Sequence, residues 1–232
     1  MILSQKTVNI IKSFSAINQG LLFKTGNQLK TVSAQKNILA QATIDENIEN
    51  QFAVYDLNEF LNTLTKTSDE ADTSNQQNFK VDDKFIVITS KQGKRKVSYG
   101  VSSESMIVTP PEREIKFPDP EVTVTVTKDT RDWITYQALN NRLNSLVIKS
   151  DGQNVYVVTS DITGAVIHSA EENIGDGNGD KYQFTFKLES LNIMEGDYDI
   201  GLSSQGVSHW KNKNIPVEYW ITTEKGSFYQ KA

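Results

Sequence analysis

The chain has 232 residues, with 24 lysines and arginines against 29 aspartates and glutamates, a formal net charge of −5 and no cysteine. The lack of cysteine excludes disulfides, thiolate metal sites and cysteine nucleophiles. The negative charge argues against a protein that grips nucleic acid through its overall field, although a local basic face is compatible with DNA contact. No apolar run reaches the length of a membrane span, and we expect an intracellular protein without membrane association.

The first elements along the chain are predicted to be a helix over residues 4–19 and a meander of short strands. Apolar residues share one helical face from Ile10 onward, while Ser4 is a candidate N-cap and Gly20 a candidate C-terminal glycine. Strands are expected at residues 21–24, 29–34 and 38–44.

A second helix is predicted directly after a strand at residues 52–55. Asp56 followed by Glu59 has the spacing of a capping box. The apolar face of this helix is predicted to be Leu57, Phe60, Leu61 and Leu64. Residues 67–78 predict a solvated loop, and further strands are expected at 79–81, 85–88 and 96–99.

Prolines separate this region from the rest of the chain. Four of the five lie at positions 110, 111, 118 and 120. Proline fixes the backbone and lacks an N–H donor, so this stretch predicts an extended connector rather than a helix or a central strand.

The second half is predicted to begin with a strand at 121–127, followed by a helix and a hairpin within 128–160. The inward face of that helix is expected to carry Trp133, Tyr136, Leu139 and Leu143. The other face is expected to carry Arg131, Ala138, Asn141 and Arg142. Residues 171–180 predict a loop, and strands are expected at 165–168, 182–188, 198–202, 215–222 and 227–230.

The two halves repeat one order of elements. Leu22 falls on Val147 at an offset of 147 − 22 = 125 residues, and Phe52 falls on Phe184 at 184 − 52 = 132. A repeat of half the chain indicates two copies of one small domain.

We therefore predict an α+β fold of two similar domains with helices on one face of antiparallel sheets. The first domain is expected at residues 1–109 and the second at 121–232, with the connector at 110–120. Each copy is expected to hold about two helices and seven or eight strands.

The residue types needed for catalysis or metal binding are sparse. The only histidines are His168 and His209, and neither has a helical metal-ligand spacing. Residues 176–180, DGNGD, copy the opening of a calcium loop, but Lys181 and Lys187 stand where such a loop needs glycine and glutamate. A flexible hairpin tip is the better interpretation. We expect no enzyme, no catalytic residue, no cofactor and no metal.

Basic residues suggest a different kind of site. The run at residues 91–96, KQGKRK, is predicted to be a hairpin turn that is either simply solvated or contacts phosphate or an acidic partner. Lys12 lies opposite the apolar stripe of the first helix, Lys6 falls on Arg131 at the offset of 125, and Arg142 shares a face with Arg131. Equivalent helices with a weakly basic face predict phosphate contacts without sequence preference.

Several stretches resemble one known family, the sliding clamps of T-even-type bacteriophages, which are DNA polymerase processivity factors. The most specific stretch is residues 53–61, AVYDLNEFL. The start, Leu3-Ser4-x-x-Thr7, and the MEGDY motif at 194–198 also match, and the likeness covers essentially the whole chain. The second half matches less closely, because its helix departs from the basic pattern of the family.

The resemblance implies a homotrimeric ring of six domains, with helices inside and sheets outside. It implies that the ring encircles duplex DNA without sequence specificity and tethers the replicative DNA polymerase. It also implies an ATP-dependent clamp loader as a partner, together with a late-transcription coactivator or sigma-like factor, in the cytoplasm of the infected host cell.

The resemblance also assigns residues to three surfaces. The DNA-facing residues are expected to be Lys6, Lys12, Lys66, Lys128, Arg131 and Arg142. The subunit interface is expected to include Tyr99, Ile107, Val108 and Val166, and the partner-peptide region Pro110, Pro111 and Phe117. The main alternative is a β-rich virion structural or ligand-binding module, which predicts no duplicated basic helices; a hydrolase would need a catalytic cluster that the sequence lacks.

Overall fold

The computed structural model describes residues 1–67, 78–82, 84–112, 116–161 and 168–232. The chain divides into two units, Met1–Glu112 (unit 1) and Arg113–Ala232 (unit 2). The division falls inside the proline-rich stretch. Among the described helices, none combines the length and apolarity needed to cross a membrane.

Unit 1 contains two helices and seven strands in its described part. They are α1 (Gln5–Ser15), β1 (Leu21–Phe23), β2 (Gly26–Val32), β3 (Ile38–Ile48), β4 (Phe52–Val54), α2 (Leu57–Thr67), β5 (Asn78–Val81), β6 (Phe85–Thr89) and β7 (Lys96–Gly100). All pairings are antiparallel: β1 with β4, β2 with β3, and β5, β6 and β7 in that order. A 3₁₀ turn, Glu104–Met106, precedes the connector.

Unit 2 contains one α-helix and nine strands in its described part. They are β8 (Val122–Val126), α3 (Lys128–Asn140), β9 (Ser145–Asp151), β10 (Asn154–Ser160), β11 (Ala170–Asp176), β12 (Lys181–Lys187), β13 (Tyr198–Ser203), β14 (Val207–Asn212), β15 (Val217–Thr222) and β16 (Phe228–Gln230). One antiparallel sheet has the order β11-β10-β9-β12-β16. In the other, β8, β13, β14 and β15 pair in that order.

The repeat predicted from sequence is confirmed by strand register. In unit 1 Leu22 pairs with Ala53 across β1 and β4, and in unit 2 Val147 pairs with Thr185 across β9 and β12. The first residues of these pairs are 125 apart and the second 132 apart, which are the two offsets read from the sequence. The two units therefore contain the same strand pair in the same register.

Both long N-terminal helices of the repeat begin with the same cap. The Ser4 hydroxyl accepts from the Thr7 backbone N–H at 3.2 Å, and the Thr127 hydroxyl accepts from that of Thr130 at 3.1 Å. These bonds satisfy N–H groups that a helix start leaves without partners. The caps are 127 − 4 = 123 residues apart, so the predicted match of Lys6 with Arg131 is wrong by two positions.

The prediction that Gly20 ends the first helix is wrong, because α1 already ends at Ser15 with Ala16 as its C-cap. Gly20 instead allows a close approach. A Cβ there would lie 2.7 Å from the Ile107 Cδ1 and 2.9 Å from the Val54 carbonyl oxygen.

The apolar residues predicted to form the inward face of α3 are mostly exposed to solvent. Its buried residues are Thr130, Ile134 and Ala138, whereas Trp133 is 41% exposed, Tyr136 64% and Leu139 70%. The prediction that large apolar side chains mark the inward face is wrong, because the helix contacts β10 and β11 and buries Thr130, Ile134 and Ala138. The fourth residue predicted for this face, Leu143, is buried beyond the end of the helix.

Sequence predictions for the rest of unit 2 differ from the structure at the loop, at one strand and at the second helix. The loop expected at 171–180 contains most of β11, and β14 was not predicted. The second helix expected in this copy is a 3₁₀ turn, Leu188–Leu191. The strand expected at 165–168 lies outside the described residues except for His168, which is in no strand.

Candidate nucleic-acid and partner interfaces

The outer faces of α1 and α2 carry exposed lysines. Lys12 lies in the last turn of α1 and Lys66 in the last turn of α2, and both are exposed. A helix C-terminus carries partial negative charge, so a lysine there is stabilised. The two helices touch where the Ser15 hydroxyl bonds the Asn58 side chain at 3.0 Å. The predicted site residue Lys6 is less available for contact with DNA, because its Nζ forms an ion pair with an Asp45 carboxylate oxygen at 2.9 Å.

The N-terminus of α2 confirms the predicted capping box in part. An Asp56 carboxylate oxygen accepts from the Glu59 backbone N–H at 2.9 Å, and this bond lowers the pKa of Asp56. Tyr99 of β7 fastens the same turn, since its hydroxyl lies 3.2 Å from a Glu59 carboxylate oxygen. Burial, followed by the charge of Glu59, raises the pKa of Tyr99 to about 12.

Unit 2 does not repeat the basic helix face. Lys128 bonds Asp132 and lies 3.8 Å from Glu195; the hydrogen bond to Asp132 raises the pKa of Lys128. The predicted DNA-facing residue Arg131 is half-buried, and its guanidinium bonds backbone carbonyl oxygens of the same unit. Exposed apolar side chains take the place of a basic face on α3.

Arg131 fastens the MEGDY motif at residues 194–198. Its guanidinium donates to the carbonyl oxygens of Met194 at 3.1 Å and Gly196 at 3.3 Å, and it lies 4.9 Å above the Tyr198 ring. Asp197 accepts from the Lys128 backbone N–H at 2.7 Å, at the positive end of α3. The motif that contributed to the family resemblance thus positions the start of the helix. Arg142 is exposed and follows α3 with φ of 56°.

The predicted hairpin turn at residues 91–96 joins β6 to β7, and the Ser90 backbone N–H donates to the Arg95 carbonyl at 2.9 Å. Lys94, Arg95 and Lys96 are exposed. A cleft of about 950 Å³ lies between this turn and α2. Its lining includes these three residues and Lys66, together with the acidic Asp56 and Glu59.

Two strands at the edges of described sheets differ in charge. Strand β7 ends the order β5-β6-β7, and with its turn (residues 91–100) it carries four basic and no acidic residues. Strand β11 ends the five-stranded sheet, and its residues 170–176 include three acidic and no basic residues. An edge strand offers unpaired backbone groups to another strand.

The residues predicted for a subunit interface lie in different environments. Tyr99 is half-exposed on β7, and Val108 is 44% exposed, with its carbonyl accepting from the Asn18 side chain at 2.9 Å. Ile107 is 7% exposed and packs at Gly20, so it is a core residue of unit 1 instead of an available contact. Val166 lies outside the described residues.

The connector lines a pocket in unit 1, and Pro110 and Pro111 of the predicted partner-peptide region are part of its lining. The pocket is about 220 Å³, and it is lined by Leu22, Lys24, Thr25, Gln28, Lys30, Thr109, Pro110, Pro111 and Glu112. Lys24 and Glu112 bridge across it at 2.8 Å, and this bond lowers the pKa of Glu112. Three of the nine lining residues are apolar, and the other six are polar or charged. Phe117, in unit 2, packs against His209 with ring centroids 5.2 Å apart.

The calcium-like sequence at 176–180 has a structural role at Asp180. The carboxylate accepts from the Tyr229 hydroxyl at 2.9 Å, from the Ala232 backbone N–H at 3.0 Å and from the Asn178 side chain at 3.0 Å. These bonds, that from Ala232 foremost, lower the pKa of Asp180. Across the described residues, no three acidic or histidine side chains are grouped as metal ligands would be.

Comparison with solved structures identifies the fold. The chain aligns with proliferating cellular nuclear antigen (PCNA) from Entamoeba histolytica over 94% of both chains, at 12% identity and a TM-score of 0.63. It aligns with A. fulgidus PCNA, solved with the C-terminal region of FEN-1 bound, over 98% of both chains, at 13% identity and a TM-score of 0.68. The PCNA2-PCNA3 complex from Sulfolobus tokodaii gives 12% identity and a TM-score of 0.62, over 97% of this chain and 99% of that chain. The duplicated α+β domain is therefore a sliding-clamp fold, as predicted.

The sequence relatives are sliding clamps of phages. Residues 4–109 match the DNA polymerase processivity factor family. The sliding clamp of Vibrio phage KVP40 is 27% identical over 97% of this chain and 99% of its own length, and that of Escherichia phage RB69 26% over 98% of each. That of Enterobacteria phage T4 is 22% identical over 89% of each. The chain is thus similar to phage sliding clamps over nearly its whole length, and this agrees with the predicted resemblance to the T-even-type clamps. As predicted, it is a non-enzymatic scaffold.

Proposed function

We propose that three copies of the chain close into a ring that encircles duplex DNA and tethers the replicative DNA polymerase. The observation that carries the ring is the opposite charge of two edge strands, the basic β7 and the acidic β11. Antiparallel or parallel pairing of β7 of one copy with β11 of the next would continue both sheets across the junction. Such a head-to-tail contact generates a closed ring when its rotation closes.

The exposed side chains of α3 support the same junction. The helix packs against β11, and the Thr130 hydroxyl donates to Glu172 on that strand at 3.2 Å. Trp133, Tyr136 and Leu139 are exposed apolar residues of this helix, whose other face packs on the acidic edge strand β11. A neighbouring subunit seated on that edge would remove their apolar surface from water, which stabilises the assembly.

The contact with DNA is proposed to be loose and sequence-independent. Lys12, Lys66 and Arg142 are the exposed cations of the predicted set, whereas Lys6 and Lys128 are paired with carboxylates and Arg131 bonds the backbone. Few phosphate contacts on a protein of net charge −5 give weak binding. A ring holds DNA by enclosure, so weak contacts are compatible with sliding.

Partners are proposed to attach through short peptides. The connector pocket has Leu22, Pro110 and Pro111 in its lining, and A. fulgidus PCNA, which shares the fold, was solved with the C-terminal region of FEN-1 bound. We extend this mode to the polymerase, to an ATP-dependent clamp loader and to a late-transcription coactivator or sigma-like factor. The site of action would be the cytoplasm of the infected host cell, since the relatives are phage proteins.

Mass and processivity together test this function. Light scattering should give about three times the 26.0 kDa chain, or 3 × 26.0 = 78 kDa. Primer extension by the cognate polymerase should yield long products only when the clamp, the cognate loader and ATP are all present. A monomer at every concentration, or processivity that is indifferent to the clamp, would reject the function.

A further inference from the structure

A helix lies beside each of the two oppositely charged edge strands. In unit 1, α2 contacts β6 and β7, and β7 is the last strand of its sheet. In unit 2, α3 contacts β10 and β11, and β11 is the last strand of its sheet. Each helix therefore lies over the two outermost strands at the edge that is proposed to meet another copy.

Strand spacing sets the distance between these helices in the proposed junction. Neighbouring strands of a sheet lie about 4.8 Å apart. When β7 pairs with β11 of the next copy and both helices lie on the same face of the continued sheet, two strand spacings, or about 10 Å, separate α2 from α3. Packed helices have interaxial distances of about 8–10 Å. The two helices would therefore contact each other across the junction.

The cleft of about 950 Å³ beside α2 lies at this edge. Asn58 and Asn62 are four residues apart on α2, so they share one wall of the cleft. Val97 of β7 is the one apolar residue of the described lining, and it is 38% exposed. It lies on the helix side of the strand, because Tyr99, two residues further on, bonds Glu59 of α2. The cleft thus combines an exposed valine with side-chain amides.

The exposed face of α3 has the complementary chemistry. Trp133 and Tyr136 are three residues apart and lie on one face of the helix, and each ring combines a large apolar surface with a hydrogen-bond donor. The amide oxygens of the cleft can accept from such donors. The cations of residues 94–96 also line the cleft, and cations are attracted to aromatic faces. The two carboxylates of the lining, Asp56 and Glu59, already accept hydrogen bonds within unit 1.

We propose that α3 of one copy packs against α2 of the next, with Trp133 and Tyr136 filling the cleft between Asn62 and Val97. This inference rests on the proposed ring and adds an apolar contact to a junction whose strand edges supply charge. Both copies contribute residues to the contact. It accounts for the large side chains of α3 that are turned away from their own core.

Cross-linking tests the helix contact directly, because the chain has no cysteine. Asn62 and Tyr136 lie near the middle of their helices, so they are close whichever way the helices cross. Asn62→Cys with Tyr136→Cys, treated with a bismaleimide of about 10 Å span, should give a covalent trimer on a denaturing gel. Each single variant should run as a monomer, because a head-to-tail contact joins different residues. Asn62→Cys with Phe228→Cys is the control and should not cross-link, since β16 is at the opposite edge of its sheet from β11.

Sedimentation velocity measures how much the contact stabilises the trimer. Trp133→Ala should raise the dissociation constant about tenfold or more, as truncation of a buried interface tryptophan does. Val97→Ala in the Trp133→Ala background should add little, because both changes remove one contact. The effect should persist at high salt, since apolar burial is not screened. Phe228→Ala should leave the dissociation constant unchanged.

The outcomes separate the helix contact from the ring. A trimer that lacks the cross-link between residues 62 and 136, or a Trp133→Ala trimer as stable as the wild type, overturns the helix contact and leaves the ring standing. Fully additive effects of Trp133→Ala and Val97→Ala overturn the helix contact as well. A wild-type chain that stays monomeric at every concentration rejects the ring itself.

Discussion

Reversing the charge of the β7 edge should open the ring. Arg95→Glu with Lys96→Glu changes the charge of residues 91–100 from +4 to zero, since two of the four cations become anions. An exposed ion pair contributes about 0.2–1 kcal/mol, and reversal replaces two attractions by two repulsions of similar size. Each junction should therefore lose about 1–3 kcal/mol, which corresponds to a factor of about 5 to 150 in its dissociation constant.

Sedimentation velocity over a concentration series measures this change, at low and high salt. The defect should shrink at high salt, where exposed charges are screened. Lys80→Glu with Lys84→Glu is a matched control, because both lysines are exposed and Lys80 lies on β5, at the opposite edge of the same sheet. Far-ultraviolet circular dichroism should show that both double variants remain folded.

A complementary reversal on β11 gives the decisive comparison. Glu171→Lys with Asp176→Lys should also weaken the trimer, although Glu171 additionally loses its exposed pair with Lys149 at 3.0 Å. A chain that carries both reversals should regain most of the wild-type affinity, because the two edges again carry opposite charges. If each reversal leaves the mass unchanged, or if the combined variant is weaker than either parent, β7 and β11 do not face each other.

Three other predictions concern single residues. Arg131→Ala should lower the free energy of unfolding of unit 2 by about 2 kcal/mol, because two hydrogen bonds and a cation–π contact are lost. Lys12→Ala should leave stability unchanged and reduce only the salt-dependent affinity for DNA. Urea denaturation measures the first effect, and DNA titration measures the second. Gly20→Ala should cost about 1–3 kcal/mol in the same denaturation assay, and Gly100→Ala, with open space around its Cβ position, should cost much less; equal losses would refute the packing argument. The pKa of Asp180 is lowered in the folded state, so its contribution to stability is present above the unfolded pKa and is lost as the pH falls through the folded pKa. Hydrogen exchange of the β16 amides should therefore become faster at acid pH in the wild type. In Asp180→Asn the exchange should already be fast at neutral pH.

The duplication was predictable because it leaves marks in the order of residues. Leu22 and Val147 occupy equivalent positions in the two halves of the sequence, and strand pairing places them in equivalent positions of the two units. The cap at Ser4 was predictable for a related reason, since a cap bonds backbone within three residues of itself. Local chemistry and repetition therefore gave the class of fold.

The orientation of α3 could not be read from its own sequence. The prediction assumed that Trp133, Tyr136 and Leu139 turn toward the core of their own domain, which is the usual outcome for an isolated domain. Thr130 is buried instead, because its hydroxyl bonds Glu172 from a strand 42 residues away. The sequence of a helix does not show whether its apolar side chains pack against their own domain or, as proposed for α3, against another copy of the chain.

The roles of the charged site residues depended on partners that are distant in sequence. The sequence predicts Arg131 as a DNA contact because it is basic and lies on a helix, yet the carbonyls it bonds are 63 and 65 residues further along the chain. Lys12 has no such partner described and remains a proposed phosphate contact. Charge alone therefore predicts which residues are candidates, and only tertiary contacts distinguish a solvated cation from a structural one.

The central claim, enclosure of DNA, is tested most directly by sealing the junction. The chain has no cysteine, so Ser98→Cys on β7 and Asn173→Cys on β11 would supply the only thiols, and a bismaleimide would bridge them between subunits without demanding one strand register. After loading on circular DNA, the cross-linked trimer should stay with the DNA in denaturant and be released when the circle is cut. Release from the intact circle in denaturant, despite complete cross-linking into closed trimers, would contradict enclosure.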